Sequence, residues 1–297
     1  MAKQRRGGVA RSLGGDIAIA IVLTFMAAFM MLPFVYAIMQ SLKPIEEIFI
    51  FPPRFFVINP TLSNYQTLSK LTDSLWIPFS RYLMNSVVVT LIGTGLNLVI
   101  SSMAAFPLAK YPFPGAKWLF RLVTTALLFA GPVTALPQYI ILAKMGLVNT
   151  LWSVILPAAG LPLGLFLMRN FMTQIPDGML EAARIDGAGT FRTFRSIAMP
   201  LVKPAALTLV IFTFQSLWNT TGGTFIYDEK IKLLPTILNQ VATAGIARAG
   251  SGAAASVVMM IPPFIIFIIL QSRIIETMAY SGIKGERKED THGPKNS

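Results

Sequence analysis

Charged residues along this 297-residue chain fall in clusters separated by six long uncharged runs. The runs are Ile17–Leu42, Tyr82–Ala109, Leu122–Ala143, Met145–Met168, Pro204–Tyr227 and Ala249–Ser272. Each exceeds the roughly 18 apolar residues that a helix needs to cross a bilayer core. The next longest candidate, Leu233–Ala247, is shorter and rich in small and polar residues. In lipid a helix satisfies its own backbone, so the pattern predicts an all-α, polytopic membrane protein with six transmembrane helices.

Basic residues set the expected orientation. Lys3, Arg5, Arg6 and Arg11 precede the first run, and Lys110, Lys117 and Arg121 join the second to the third. Arg169, Arg184, Arg192, Arg195 and Lys203 join the fourth to the fifth; Arg273, Lys284, Arg287, Lys288 and Lys295 follow the last. These make 17 of the 25 Lys and Arg residues, with 8 on the other face. Cytoplasmic loops carry such an excess, so both termini are expected in the cytoplasm. The net charge of +12 is read the same way, as topogenic charge beside anionic lipid and not as a nucleic-acid surface. The first run is too long for a signal-peptide core and lacks a small-residue cleavage site, so it is expected to remain as an anchor. The divisions expected are a cytoplasmic tail over 1–16, a first helix with an extracytoplasmic segment over 17–80, a five-helix core over 81–276 and a cytoplasmic tail over 277–297.

Pro52-Pro53, Asn59-Pro60 and Pro78 punctuate the external segment, which argues against long helices there. Tyr111–Gly115 and Met145–Thr150 read as short turns between antiparallel neighbours. Prolines 33, 132, 137, 157, 162, 262 and 263 fall within runs, where each removes a backbone donor and can bend its helix. Glu286–Ser297 reads as a polar, disordered tail.

The runs hold no Asp, Glu, Lys, Arg or His, and the lone His292 lies in the tail. Ion-coupled transporters keep such groups inside the membrane, and hydrolases and metalloenzymes need a base or ligand cluster. There is no Cys and no G-x-x-x-x-G-K-[ST] phosphate loop. No catalytic role is expected, no metal and no cofactor in this chain; energy for uphill transport must come from a partner. Uncharged polar groups remain, among them Asn85, Asn97, Ser101, Ser102, Gln138, Tyr139, Gln215, Trp218 and Asn219. They suit a neutral, hydroxyl-rich solute, or bond one helix to another. Gln215, Trp218 and Asn219 are three and four residues apart, so a helix places them on one face.

Met179–Pro200 is the polar exception in this apolar chain. Pro176, Asp177 and Glu181 favour a helix start, Gly187 and Gly189 a stop, and Thr190 a cap for a second helix running to about Met199. Ala182, Ala183, Gly187 and Ala188 permit a close backbone approach, as a helix seated in a partner's groove requires, and Glu181 and Asp186 offer anionic contacts. A helix lying on lipid would instead carry a basic face opposite a bulky apolar one.

Glu181-Ala182-Ala183, Asp186-Gly187-Ala188 and Pro200 between Ile197 and Leu201 resemble the EAA loop of binding-protein-dependent ABC import permeases. The wider resemblance is to the second permease of maltose-type carbohydrate importers. It runs through Ser41-Leu42-Lys43, Phe51-Pro52-Pro53-Arg54, Asn64-Tyr65, Arg81-Tyr82, Asn85-Ser86, Gly146–Thr150 and Ser281–Gly285. It implies a type I importer permease with a MetI-like core and a coupling loop over 171–203, in a bacterial inner membrane. The implied partners are a second related permease, two cytoplasmic ATPase subunits or domains that bind the ATP and Mg, an extracytoplasmic solute-binding protein and a carbohydrate. It places Glu181, Ala182, Ala183 and Gly187 in the ATPase cleft and brings Gly282, Lys284 and Gly285 towards the ATPase pair. Where many members carry Trp-Asn-Asp, this chain has Trp218-Asn219-Thr220-Thr221-Gly222-Gly223, and its segment from Tyr227 to Gly250 is unusual. That departure points to larger oligosaccharides, charged ones among them. Polyols, glycerol phosphoesters and opine-like compounds are the alternative solutes, and a channel or structural subunit without an ATPase is the alternative class.

Overall fold

The computed structural model describes residues 13–73, 76–129 and 131–289. The basic residues before Leu13 and the tail from Asp290 lie outside the described residues. Among the described residues all regular structure is helical. The α-helices are α1 (Leu13–Leu42), α2 (Ile45–Ile48), α3 (Ser63–Asp73), α4 (Phe79–Lys110), α5 (Ala116–Ala126), α6 (Gly131–Lys144) and α7 (Trp152–Ala159). They continue with α8 (Pro162–Thr173), α9 (Asp177–Ile185), α10 (Thr190–Thr193), α11 (Met199–Leu201), α12 (Lys203–Trp218), α13 (Leu234–Ala242) and α14 (Ala249–Glu289). A π-helical segment, Phe194–Ala198, joins α10 to α11.

Four stretches are long and apolar enough to cross a membrane: Gly14–Leu42, Phe79–Lys110, Trp152–Thr173 and Ala249–Arg273. The pair Thr190–Leu201 and Lys203–Trp218, bent by 78°, makes a fifth if its two helices are counted as one span. The third uncharged run is instead shared by α5 and α6, parted by a turn over Leu127–Phe129. Pro132 follows that turn, and because it has no N–H to donate back to the preceding turn, the helix of α5 cannot run through it and α6 starts afresh there. The fourth run starts its helix late, at Trp152, because Gly146 (φ 69°) and Asn149 (φ 61°) hold a left-handed turn. It is interrupted again at Gly160–Leu161, between Pro157 and Pro162. The expected polar tail also begins later than Glu286, since α14 is helical to Glu289.

The chain divides into two compact units, residues 1–70 with 241–257, and residues 71–240 with 258–297. In the first unit α1 exposes Ile17, Ile19, Ile21, Val22, Leu23 and Phe25 in near succession. A helix that is apolar all round belongs in lipid or against other apolar helices. At its end the motif residues converge. Lys43 is 2% exposed, and its ammonium donates to Gln40 Oε1 (3.0 Å) and to the Arg54 carbonyl. Buried Glu47 accepts from the amides of Ile58 (2.9 Å) and Asn59 (3.4 Å). Asn64 donates to the carbonyls of Ser41 (2.8 Å) and Lys43 (2.7 Å). A side chain at Gly250 would collide with that same amide. Every buried charge here has a partner, as the cost of stranding one demands.

In the second unit α4 is the axis against which α7, α8 and α12 pack. Thr90, Thr94, Asn97, Ser101 and Ala105, spaced four, three, four and four apart, form its buried face. Small and hydroxylated residues let helices approach closely in a membrane. Gly164 of α8 stands so near Ser101 that a Cβ there would collide with its hydroxyl. Asn97 donates to the carbonyls of Ala158 (2.9 Å) and Ala159 (3.3 Å) and accepts from Thr213 (3.2 Å), tying α4 to α7 and α12. For Asn97 the helix-to-helix role is the one realised.

The α12–α13 connection is clamped from two sides. Asn85 donates to the carbonyls of Lys230 and Lys232 (both 3.0 Å), Tyr82 donates to Glu229 (2.9 Å) and the Leu234 amide donates to Ser86 (2.8 Å). Asn149 accepts from the amides of Tyr227 (3.2 Å) and Asp228 (2.9 Å), while its own amide donates to the Phe225 carbonyl. The Lys232 ammonium, 2.6 Å from Glu229, holds that carboxyl below its ordinary value, outweighing the opposing effect of burial, and the Tyr82 hydroxyl adds to the lowering. A depressed carboxyl contributes stability that is complete above its unfolded pKa and is lost as pH falls through the folded one. Amide hydrogen exchange over Glu229–Leu234, corrected for intrinsic rates, should therefore quicken as pH falls below about 4.5, the ordinary value. Glu229→Gln should show faster exchange already at neutral pH and little further change with acid.

Candidate functional site

The polar loop folds as a helix, a left-handed turn and a bent continuation. Lys110, at the end of α4, donates to Asp177 (2.8 Å) and to the Ile175 carbonyl (2.5 Å), fixing where α9 starts. Pro176 precedes the helix as its extended N-cap. Leu180 is buried in a core with Phe106, Met168, Met172, Ile175 and Leu209, which seats α9 on α4, α8 and α12, and Ala183 is buried as well. At the other end Gly187 (φ 78°) reverses the chain, and the Ala188 amide donates to the Ala183 carbonyl (2.9 Å). Glycine adopts that conformation without the steric cost of a Cβ, which is about 1–2 kcal/mol.

Glu181, Ala182 and Asp186 are exposed, and Ala188 is half-buried. Ala183, expected to admit a partner's backbone, is turned inward, because it shares the Leu180 stripe. Thr190 is the first residue of α10 and makes no cap; Gly189 occupies the cap position. The outward face of α9 carries Met179, Ala182 and Ile185, the last 87% exposed, and Phe191 of α10 is 62% exposed. Sequence reasoning missed Ile185 and Phe191. Both are bulky apolar residues off the buried stripe of an otherwise polar loop, which is a signal that was there to be read. Gly282, Lys284 and Gly285 lie on helical backbone of α14.

A cavity of about 720 Å³ opens where three helix interruptions meet. Leu127 and Phe129 come from the α5–α6 turn, Gly160 and Leu161 from the α7–α8 break, and Thr220–Gly223 and Phe225 from the chain after α12. Its polar side chains are Thr134, Gln138, Ser153, Ser216, Thr220 and Thr221, and among the described residues none of those lining it is charged. Tyr139 does not line it but stacks on Phe225, centroids 6.2 Å apart at 24°.

Of the five candidates for a substrate path, the cavity takes in Gln138 alone. Gln215, Trp218 and Asn219 do not act as one surface. Trp218 is 3% exposed, stacks on Phe214 (6.1 Å, 6°) and donates from Nε1 to the Met259 carbonyl (3.0 Å). Gln215 and Asn219 are exposed, and Asn219 donates to the Gln215 carbonyl (2.8 Å). The large indole follows the apolar side of α12, so one-face spacing gave way to burial. Ser216, Thr220 and Thr221, their sequence neighbours, line the cavity instead.

The helical layout, with its polar loop seated on the ends of α4, α8 and α12, is that of a membrane permease subunit. Residues 97–279 match the family of binding-protein-dependent transport system inner membrane components, and the chain belongs to that family. It is 31% identical over 263 residues to the putative ABC transporter permease protein ORF2 of Caldicellulosiruptor sp. (strain Rt8B.4), covering 85% of this chain and 91% of that one. It is 28% identical over 290 residues to the polygalacturonan/rhamnogalacturonan transport system permease protein YtcP of Bacillus subtilis (strain 168), covering 91% and 98%. Its fold is similar to that of a chain in a bacterial ABC transporter involved in the import of the acidic polysaccharide alginate. The TM-score there is 0.72 at 21% identity, over 89% of this chain and 99% of that one.

The placement of the α12 side chains separates structural from solvent-facing roles. Trp218→Ala should destabilise the purified protein by about 3–5 kcal/mol, the cost of emptying a packed aromatic site. Gln215→Ala and Asn219→Ala should stay within about 0.5 kcal/mol of the parent. Thermal unfolding in detergent measures all three.

Proposed function

We propose that this chain is a permease subunit of an ATP-driven importer that carries a carbohydrate delivered by an extracytoplasmic binding protein. In this reading it sits in a bacterial inner membrane with six spans and both termini in the cytoplasm, α5 and α6 together forming the third. It pairs with a second, related permease and is driven by two cytoplasmic ATPase subunits or domains that hold ATP and Mg. Residues 1–16 and 277–297 are the cytoplasmic tails, 17–80 the first helix and external segment, and 81–276 the core with its coupling loop over 171–203. The carbohydrate assignment draws on the relative named for polygalacturonan and rhamnogalacturonan transport and on the hydroxyl-bearing cavity.

The observation that carries the reading is the outward face of α9. Met179, Ala182 and Ile185 are apolar and exposed beside Glu181 and Asp186, while Lys110 and the buried Leu180 and Ala183 hold the helix from within. Such a face, rigidly mounted and free on its outer side, suits insertion into a protein groove. ATP-driven closure of the groove would move α9, and the core beneath it would shift α4, α8 and α12. Gly282, Lys284 and Gly285 of α14 would add a second contact to the ATPase pair.

Ile185→Glu and Glu181→Lys should each lower uptake and sugar-stimulated ATP hydrolysis at least about tenfold, a loss of about 1.4 kcal/mol in coupling. Membrane insertion and thermal stability should hold, because neither side chain is buried. Uptake at the parent rate in both variants would refute docking through α9.

A further inference from the structure

We infer that the groove between the end of α4 and α10 holds an anionic phospholipid of the cytoplasmic leaflet. The inference rests on the membrane orientation proposed above and adds a bound lipid to it. The groove, of about 470 Å³, is lined by Met103, Phe106 and Pro107 of α4 with Tyr111 after it, and by Phe191 and Phe194 across from them. Phe106 stands against both Tyr111 (5.7 Å between centroids) and Phe194 (5.5 Å), so aromatic rings join the two sides.

Depth and exposure point to lipid. Met103 lies about 10 Å before Lys110, where the uncharged run of α4 ends, at 1.5 Å per residue. That distance spans the boundary between headgroups and acyl chains. Ile92, Val99 and Met103, seven and four residues apart, are exposed along one side of α4 and lead into the groove.

Charge selects the kind of lipid. The Arg184 guanidinium lies 5.2 Å from the centroid of the Tyr111 ring, at the groove's edge. Arg195, four residues after Phe191, is exposed on the same side of its helix. Among the described residues neither arginine pairs with a carboxylate, whereas the neighbouring Lys110 is taken up by Asp177. A phospholipid meets both halves of such a site at once. Its phosphate accepts paired N–H bonds from a guanidinium, and its acyl chain fills the apolar part. Two basic side chains at the rim favour a headgroup of net negative charge, which the cytoplasmic leaflet supplies.

The importer, with its partner subunits, is placed in nanodiscs of phosphatidylcholine and phosphatidylglycerol in equal parts. A trace of one lipid or the other carries a diazirine on its acyl chain, and adducts are mapped by peptide mass spectrometry after illumination. Adducts on Met103–Tyr111 and Phe191–Phe194 should be at least about fivefold more abundant with the phosphatidylglycerol probe, the factor one basic side chain contributes at an anionic surface. The bare apolar stretch of α1 from Ile17 to Phe25 should take both probes alike. Arg184→Gln with Arg195→Gln should bring the groove's ratio to that of α1, while Arg184→Lys with Arg195→Lys should keep it; both positions are exposed, so the fold holds. Equal labelling of the groove by both probes overturns the inference, because lipid is then only solvent there. A groove without adducts beside a labelled α1 overturns it too, since a protein partner then covers it, as does a preference that survives loss of both guanidinium groups. Those outcomes leave the proposed function standing. The chain has no cysteine, so Thr190→Cys, at a position that also lines the groove, reports on its sidedness. An impermeant maleimide should leave this thiol unmodified in spheroplasts. Modification there puts the loop outside and overturns the proposed function together with this inference.

Discussion

The constraint on which this structure depends is that a peptide group inside a bilayer must find a hydrogen-bond partner without help from water. Long helices such as α1, α4 and α14 meet it locally. Where proline or glycine interrupts the ladder, the open carbonyls need another answer. Asn97 of α4 supplies one, its amide meeting the Ala158 and Ala159 carbonyls at the end of α7. The turns supply the other: the Leu128 and Phe129 amides donate to the Thr125 and Ala126 carbonyls, and those of Gly160 and Leu161 to the Pro157 and Ala158 carbonyls. Stability here comes from local repair of a broken ladder.

A second regularity is the division of labour among polar residues. Motif positions that stand out in the sequence hold the connections between helices in shape. Lys43 and Asn64 tie the chain beyond α1, and Arg81, Tyr82, Asn85, Ser86 and Asn149 fasten the loop between α12 and α13. The polar residues that touch the cavity are neutral, and all but Gln138 are small hydroxyl side chains.

Much of the architecture could be read before any coordinates. The uncharged runs at Ile17–Leu42 and Tyr82–Ala109 mark α1 and α4 closely, and Ala249–Ser272 marks the start and first part of α14, because in lipid the absence of charge and the helical ladder are one requirement. The loop's helix and its stop at Gly187 were legible for local reasons of helix-end geometry, whereas the bend before Lys203 was not. What was not legible depended on packing. Ala183 and Ala182 are alike in sequence, and only the position of the Leu180 stripe against the core decides which one is hidden. Trp218 and Gln215 share helical spacing, yet a large ring seeks the interior and an amide does not. The division of the third run reflects Gly131-Pro132, a signal present in the chain but outweighed by the length of the apolar stretch around it.

The 78° bend between Thr190–Leu201 and Lys203–Trp218 makes a bell crank of this region. Its short arm is about 18 Å long and its long arm about 24 Å, at 1.5 Å per residue. Val202 is buried at the elbow, and the long arm exceeds the short one by roughly a third. The long arm ends where the chain runs into Thr220–Gly223 at the wall of the cavity, so in the importer proposed above a push on the short arm would reach that wall enlarged.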